Sequence, residues 1–328
     1  MNQRSRGTMD DMPTFLRSSI PKRLVRPETS QAFRVTERDI AILRALARWR
    51  FMTSEQIERY LTLIYGTASA QQVRRRLLRL FAAGLVDRPR HQHVQLSSFD
   101  FLVYAIGRKG ATLLAQQGES IEALQWTLKN KRATAVHIMH TLETTEAMLA
   151  FEAGCVRDAQ LRLIDHEALV PLLPAETQRR DRPFRLAVKA AIENRQVPLY
   201  VIPDRVFSVA LPGEQRINAA LELDRGTMSI AAKRLTSKSS FARKIHAYMA
   251  AFQQRAHTAQ WGFASFRVLT IAPSERRIAG MLTVQRKITQ GRLPAFFLYS
   301  TFERLQTHGA FGAAWITADA DHVSLLER

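Results

Sequence analysis

Residues 199–211 (LYVIPDRVFSVAL) and 218–224 (NAALELD) are the segments that decide how the larger part of this chain is expected to fold. The first is rich in Val, Ile, Tyr and Phe and the second alternates in hydrophobicity, and both properties favour β-strands. Successive side chains of a strand point to opposite faces, so Glu222 and Asp224 project from the same face. If the two strands pair, Asp204 joins them. We therefore predict a strand pair that carries three clustered carboxylates.

Such a cluster requires charge compensation. Three carboxylates on neighbouring strands repel one another unless a cation or a proton lies between them. Clustered oxygen ligands suit Mg²⁺ or Mn²⁺ better than zinc. The alternative interpretation is that these acids face solvent on an edge strand, and the spacing alone leaves both interpretations open.

The composition is that of a globular protein with an unusual charge. The 328 residues are enough for two domains, and 46% of them are hydrophobic. Lys and Arg number 48 against 29 acids, which gives a net charge of +19. A protein this basic is expected to bind a polyanion, most commonly nucleic acid. We expect no membrane association, because the apolar stretches are shorter than a bilayer span and the termini carry no anchor or lipidation signal.

Two further features of composition bear on compartment and order. Cys155 is the only cysteine, which excludes an internal disulfide and fits a cytoplasmic protein. Residues 1–32 are polar, basic and proline-containing, without the apolar core of a signal peptide. We expect these residues to form a disordered basic arm.

Residues 33–107 carry the pattern of a winged helix-turn-helix. Residues 36–39 (TERD) and 53–56 (TSEQ) resemble capping boxes, and each precedes an amphipathic segment. A third helix is predicted from Ser69 to Ala83, ending at Gly84. Two strand-like runs follow, joined by a polar tip that contains His91, His93, Ser97 and Ser98. Three helices followed by a hairpin is the winged-helix order.

The third predicted helix is also the most basic segment of the chain. Arginine occupies four of the six positions from residue 74 to residue 79. Arginine reads guanine and glutamine reads adenine when a helix enters the major groove, and basic side chains of a wing grip phosphates. Residues 1–133 carry 23 basic and 11 acidic side chains, against 25 and 18 in residues 134–328. We predict that double-stranded DNA binds to Gln72, Arg75, Arg76 and Arg79, with phosphate contacts from Arg88 and Arg90.

Residues 108–133 are predicted to form a helical connector, and residues 134–328 a second, α/β domain. In the second domain the predicted order is α-β-β-β-α-β, with acids on the second and third strands. This order resembles the core of the PD-(D/E)xK nuclease superfamily. The expected fold class is therefore α+β, a winged helix-turn-helix followed by a restriction-endonuclease-like domain.

From about Val35 to Thr317 the chain also resembles the bacterial replication-relaxation family, which joins a winged helix to a nuclease-like domain on plasmids and other mobile elements. The motifs that carry the resemblance are residues 36–39 (TERD), Arg74 to Leu80, residues 83–85 (AGL), His137, Pro203-Asp204, residues 222–227 (ELDRGT), Lys244 and Tyr248.

The resemblance to the nuclease superfamily implies roles for individual residues. Asp204 and Glu222 would hold a divalent ion, Mg²⁺ or Mn²⁺, with Glu146 as an outer ligand. The lysine that usually follows the glutamate by two positions is here Asp224. The positive charge of that missing lysine could come from Lys244 on the next helix, with Lys233 and Lys238 as alternatives. Otherwise Asp224 indicates a domain that has lost catalysis and kept DNA binding.

His137 and His140 lie on one face of a predicted helix, but a zinc site is disfavoured because no thiol or zincin glutamate accompanies them. We expect these histidines to pack against the neighbouring sheet; an acid–base role in the cleft is the less favoured alternative.

Two functions follow for a cytoplasmic protein of a mobile element. In the first, the winged helix targets DNA and the second domain cuts or nicks it, using Asp204, Glu222, Asp224 and Lys244 with the metal. In the second, an inactive nuclease fold acts as a transcriptional regulator or as a replication, mobilisation or assembly factor. Expected partners are DNA and other proteins of the element, and a homodimer is possible.

Overall fold

The computed structural model describes residues 24–27, 34–92, 102–119, 122–192, 195–231, 240–292 and 294–326. Within these residues the protein is mixed α+β, as the sequence predicted. The chain divides into two compact units, Met1–Leu61 with Thr67–Met139 and Thr62–Gly66 with His140–Arg328. Most of the predicted arm, the wing tip from His93 to Ser98, and both alternative lysines, Lys233 and Lys238, lie outside the described residues.

The first unit contains three helices, a small sheet and two further helices. In chain order these are α1 (Glu37–Trp49), β1 (Met52–Thr53), α2 (Ser54–Tyr65), α3 (Ala70–Ala83), β2 (Val86–Asp87), β3 (Val103–Ile106), α4 (Arg108–Gln116) and α5 (Glu122–Lys131). The three strands form an antiparallel sheet in the order β1-β3-β2. The sequence predicted the two hairpin strands over residues 85–90 and 101–106, and the observed strands β2 and β3 are shorter.

Local sequence signals set the helix ends of this unit. The Thr36 side chain accepts from the backbone of Asp39, and the Asp39 carboxylate accepts from the Thr36 backbone, which confirms the first capping box. Thr53 and Gln56 make the same reciprocal bonds at the start of α2. α3 ends at Gly84, whose φ of 80° is a left-handed conformation that glycine adopts readily.

The rest of the chain contains both helices and strands. Its elements are α6 (Ala135–Arg157), β4 (Arg162–Ile164), α7 (His166–Leu169), α8 (Ala175–Gln178), β5 (Leu186–Ile192), β6 (Arg195–Val201), β7 (Arg205–Ala210), β8 (Arg216–Leu223), α9 (Phe241–Gln253), α10 (Ala256–Trp261), β9 (Arg267–Ile271), α11 (Glu275–Ile288), β10 (Phe297–Ser300), α12 (Phe302–His308), β11 (Trp315–Ile316) and β12 (His322–Val323).

Seven of these strands form one sheet in the order β12-β11-β10-β9-β8-β7-β4. β4, β7 and β8 are antiparallel neighbours, whereas β8, β9 and β10 run parallel. The predicted pairing of the two acidic segments is confirmed, with Arg205 opposite Leu221. None of the described helices combines the length and hydropathy that a bilayer span requires.

The segment 199–211 is not one strand, which corrects the sequence prediction. β6 ends at Val201 and pairs with β5 in a separate hairpin, while β7 starts at Arg205 and pairs with β8. The chain leaves one sheet for the other at Pro203-Asp204, where proline cannot donate a ladder hydrogen bond. β5 and β6 are two strands that the predicted α-β-β-β-α-β order did not include.

Candidate functional site

Asp204 is held at the point where β7 meets the end of β8. Its backbone N–H donates to the Leu221 carbonyl at 2.9 Å, and its Oδ2 accepts from the backbone N–H of Leu223 at 2.7 Å. The predicted approach of Asp204 to the second acidic segment is therefore confirmed. The proline that breaks the strand places this carboxylate beside Leu223 rather than in a continuous ladder.

His140, on α6, occupies the other oxygen of Asp204. Its Nε2 lies 2.9 Å from Asp204 Oδ1. The bond to Asp204 is the main reason why the pKa of His140 lies above its ordinary value. Burial raises the pKa of Asp204, but the bond from His140 and the charge of Lys244 outweigh burial and leave it below the usual value. The two side chains therefore form an ion pair when His140 is protonated.

Glu222 is the most deeply buried carboxylate of the three, with 3% of its surface exposed. Two residues of α9 satisfy it: the Lys244 ammonium contacts Oε2, and the Tyr248 hydroxyl donates to Oε1 at 2.5 Å. Burial raises the pKa of Glu222. Burial alone would lower the pKa of Lys244, but the charges of Glu222 and Asp204 raise it above its ordinary value. Lys244 is therefore charged at neutral pH.

Asp224 follows β8 and has a different cation. Arg277, on α11, binds it with two nitrogens, Nε at 2.7 Å from Oδ2 and Nη2 at 3.2 Å from Oδ1. The backbone N–H of Gly226 also donates to Oδ1 at 2.8 Å. Asp224 is thus fixed by a bidentate ion pair, the strong geometry for arginine and carboxylate.

Glu222 and Asp224 line one small pocket. The pocket has a volume of about 20 Å³, enough for one water molecule or an ion of similar size. Its wall is otherwise mostly apolar. The lining residues are Glu222, Leu223, Asp224, Met228, Phe241, Lys244, Ile245, Tyr248, Val268, Thr270 and Phe297.

The donor chemistry of Asp204 and Glu222 suits a divalent cation, because Mg²⁺ is often held by one or two carboxylates with water and substrate phosphate. Lys244 already compensates Glu222, however, and His140 compensates Asp204 when it is protonated. Within the described part of the chain, no three His, Cys, Asp or Glu side chains form a group that could hold a metal. Glu146 therefore does not complete a three-residue ligand set, and Mg²⁺ or Mn²⁺ binding remains a prediction.

The predicted DNA-binding side chains separate into two groups in the structure. Gln72, Arg75 and Arg79 are exposed on α3, opposite the buried stripe of Val73, Leu77, Leu80 and Phe81. Within the described residues, no hydrogen bond or ion pair engages the guanidinium of Arg75 or Arg79. Arg90 is exposed beyond β2.

Arg76 and Arg88 have intramolecular partners instead. Arg76 Nε lies 2.7 Å from Asp39 Oδ1, and Nη2 donates to the Arg34 carbonyl at 2.7 Å. Arg88 is 9% exposed, packs over the rings of Phe81 and Tyr104, and donates to the Tyr104 hydroxyl. Helical spacing and charge cannot distinguish these arginines from those that stay on the surface. We leave both out of the proposed DNA surface.

His140 and Arg277 are the site residues that sequence reasoning underrated. The sequence placed His140 beside a sheet, and the structure adds its contact with Asp204. His137 instead makes an edge contact with the ring of Phe51. Arg277 lies 53 residues after Asp224, and no motif connects the two. The sequence contains one indication of such a partner: Asp224 stands where the nuclease superfamily usually has a lysine, so a cation for it had to come from elsewhere in the chain.

Comparison with known proteins identifies one family. The family profile described as replication-relaxation matches residues 43–265, more than half of the chain. No curated protein and no solved structure was found to match.

Proposed function

This chain belongs to the replication-relaxation family, and we propose that it binds the double-stranded DNA of a plasmid or other mobile element. Membership supports a role in the replication of such an element. The observation that carries DNA binding is the exposed row of Gln72, Arg75 and Arg79 on α3. The row follows the i, i+3, i+7 spacing that puts side chains on one helix face.

The surroundings of α3 support a winged helix-turn-helix. Three helices precede a hairpin, and the sheet order β1-β3-β2 places the first strand beside the last. α3 is the helix that enters the major groove in such domains. Arg75 and Arg79 are long enough to reach base edges or phosphates, and Gln72 offers both a donor and an acceptor.

The second unit supports a nuclease-like fold that acts without cleavage. With the β5–β6 hairpin inserted between β4 and β7, its order is α6-β4-β7-β8-α9-β9, and this antiparallel meander followed by a parallel strand resembles the order expected of a PD-(D/E)xK core. Each of its three acids is engaged by a basic side chain of the protein: Asp204 by His140, Glu222 by Lys244, Asp224 by Arg277. Such internal neutralisation stabilises the domain without a metal. We therefore propose an accessory role in replication, mobilisation, assembly or regulation.

Metal-dependent DNA cleavage is the second candidate, and the position of Lys244 favours it. Lys244 reaches Glu222 from the next helix, where it could replace the lysine that Asp224 displaces. Asp204 and Glu222 would hold Mg²⁺ or Mn²⁺, which would polarise a scissile phosphate and lower the pKa of an attacking water. Lys244 would then stabilise negative charge at the attacked phosphate.

Gel-shift titrations at several salt concentrations test DNA binding. Arg75→Ala with Arg79→Ala should weaken binding to duplex DNA and reduce the slope of log K against log salt by about 2, since two phosphate or base-edge cations are lost. Unchanged affinity and slope would remove α3 from the DNA surface. Arg276→Ala with Arg162→Ala is the matched control, because both arginines are exposed on other elements.

Incubation with supercoiled plasmid decides between the two candidates for the second unit. The arms contain Mg²⁺, Mn²⁺ or EDTA, with wild-type protein and with Asp204→Ala. The accessory function predicts no nicking in any arm and gel-shift binding that ignores the metal. Metal-dependent nicking that disappears in Asp204→Ala would establish the nuclease instead.

A further inference from the structure

The β5–β6 hairpin and the turn before it present basic side chains that neither proposed activity uses. Between Arg179 and Arg195 the sequence carries six basic and two acidic residues. Every basic residue in this segment is exposed, namely Arg179, Arg180, Arg182, Arg185, Lys189 and Arg195. We define the arginine patch as these six residues with Tyr200.

The outward face of the hairpin is flat and positively charged. β5 alternates strictly, with Leu186, Val188, Ala190 and Ile192 buried and the intervening residues exposed. On the exposed face Ala187 lies opposite Tyr200, and Lys189 lies opposite Pro198. Ala187, Ala191 and Pro198 are short, so a ligand can approach the backbone of the hairpin between the longer side chains of Lys189 and Tyr200.

The patch is held rigidly from below. Phe184, 2% exposed, packs against Trp261 with ring centroids 6.1 Å apart, and it anchors the turn between Arg182 and Arg185. Gln254, at the end of α9, bonds both backbone groups of Lys189. The basic side chains are thus presented by fixed backbone, which lowers the entropy that a ligand must overcome.

The partners of these side chains leave most of their charge available. Arg180 pairs with Glu176 at 3.0 Å. Within the described residues, no carboxylate forms an ion pair with Arg182, Arg185 or Lys189. Arg180, Arg182 and Arg185 line an open depression of about 470 Å³ together with one acid, Asp181, so three guanidinium groups outnumber the single carboxylate there. Guanidinium groups that converge on one depression match the oxygens of a phosphate.

Arg185 and Tyr200 add a feature specific to nucleic acid. The Arg185 guanidinium lies 4.4 Å from the centroid of the Tyr200 ring, and Tyr200 is 54% exposed. Stacking orients the guanidinium and leaves its N–H groups free to donate outward. An exposed ring beside a basic track is the arrangement that accepts a sugar or an unstacked base.

We infer that the arginine patch is a second DNA-binding surface, in the second unit, which holds the sugar-phosphate backbone independently of α3. The inference does not require α3 to bind DNA. It assigns a role to the arginine-rich stretch and gives the nuclease-like unit its own contact with DNA, whether or not that unit cuts.

The test compares full-length variants by fluorescence anisotropy with a 30-base-pair duplex and a 30-nucleotide single strand over a range of salt. Replacement of Arg182, Arg185 and Lys189 by Gln should weaken binding about tenfold and lower the salt slope by about 2 to 3. The matched control replaces Arg162, Arg216 and Arg276, which are exposed elsewhere in the same unit. The control should keep affinity and slope near wild type.

Several outcomes would overturn the inference. Equal losses in the patch variant and the control would assign the effect to net charge. The patch variant could instead lose binding to vesicles of phosphatidylcholine and phosphatidylserine while its binding to duplex and single-stranded DNA stays at the wild-type level. That result would assign the patch to anionic lipid. Circular dichroism checks the fold of each variant, and Arg182→Lys with Lys189→Arg, which keeps the charge, should retain most of the affinity.

The α3 and patch proposals fail separately. The Arg75 and Arg79 double variant lowers the slope only if α3 contacts DNA, and the patch variant lowers it only if the patch does. A loss confined to the single strand would identify Tyr200 as a base platform, and Tyr200→Ala should then weaken binding more than Tyr200→Phe.

Discussion

At the scale of single residues, three acids of the second unit each contact a different basic side chain of the protein. Glu222 depends on this most, because it is almost fully buried between Lys244 and Tyr248. A buried carboxylate without a partner is costly, whereas a paired one is tolerated. Repulsion among these acids requires a cation or a proton beside them. Lys244 of α9 and Arg277 of α11 supply positive charge, and His140 of α6 does so when it is protonated.

Lys244→Met should destabilise the protein by about 3 kcal/mol at pH 7, because it leaves Glu222 buried without its cation. Burial already raises the pKa of Glu222. A carboxyl group whose folded-state pKa lies above its unfolded value opposes folding above the unfolded value, near 4.5. The penalty should therefore shrink as pH falls from 7 towards 4.5, in urea unfolding followed by circular dichroism.

A double-mutant cycle controls this prediction. Lys244→Met combined with Glu222→Gln should cost less than the sum of the two single changes, since neither charge remains buried alone. Additive losses, or a Lys244→Met penalty that does not vary with pH, would show that the pair is not coupled as the contacts indicate.

His140 should make stability depend on pH. Its folded-state pKa is raised above 6.5, so its contribution is complete below pH 6.5 and is lost as pH rises through the folded pKa. Asp204, whose pKa is lowered from 3.8, stays ionised throughout this range. The stability difference between wild type and His140→Gln should therefore be about 1–2 kcal/mol larger at pH 5.5 than at pH 8.5.

His246→Gln serves as the matched control. Burial lowers the pKa of His246, so protonation opposes folding there. Its difference from wild type should change with pH in the opposite sense. If His140→Gln and His246→Gln showed the same pH dependence in urea unfolding, the bond between His140 and Asp204 would not account for it.

At the scale of elements, α1 and α3 are joined by one ion pair that the helical pattern alone does not reveal. Asp39 caps α1 and is fully buried, and Arg76 of α3 binds its carboxylate from the side. The next residue back, Arg75, points away and is exposed. Two adjacent arginines of one helix therefore have different tasks, one in folding and one in the proposed DNA contact.

Arg76→Ala should cost about 2 kcal/mol or more of unfolding free energy, since it removes the cation from a buried carboxylate. Arg75→Ala should change stability by less than about 0.5 kcal/mol, as expected for an exposed side chain, and should weaken DNA binding. Thermal and urea unfolding with gel shifts measure both. Equal stability losses in the two variants would contradict the division of tasks.

At the scale of the whole molecule, the division into two compact units predicts that a substitution that destabilises one unit leaves the stability of the other unchanged. Units with separate cores need not unfold together. Hydrogen exchange followed by mass spectrometry should show faster exchange of α1, α2 and α3 in Arg76→Ala, and little change in β8 and β9. Lys244→Met should give the reverse pattern. Faster exchange throughout the chain in either variant would mean that the two units unfold as one.

The local signals in the sequence determined much of this protein. Capping boxes, the stripe of Val73, Leu77 and Leu80, and Gly84 set helix ends and faces, because these depend on residues within one or two turns. The alternation of 218–224 predicted a strand, whereas its pairing with the neighbouring segment entered the sequence analysis as a condition and is shown by the structure. The family resemblance rested on the same short motifs and was confirmed.

Only the tertiary structure decided which charges meet. The contacts of Asp204 with His140, Glu222 with Lys244 and Asp224 with Arg277 join residues 64, 22 and 53 positions apart. Such pairings depend on how the helices pack on the sheet, and no local pattern encodes them. The same is true of Arg76, whose partner Asp39 lies 37 positions away. Sequence composition therefore predicted a basic protein with clustered acids, and packing determined which of those charges are neutralised inside and which remain on the surface.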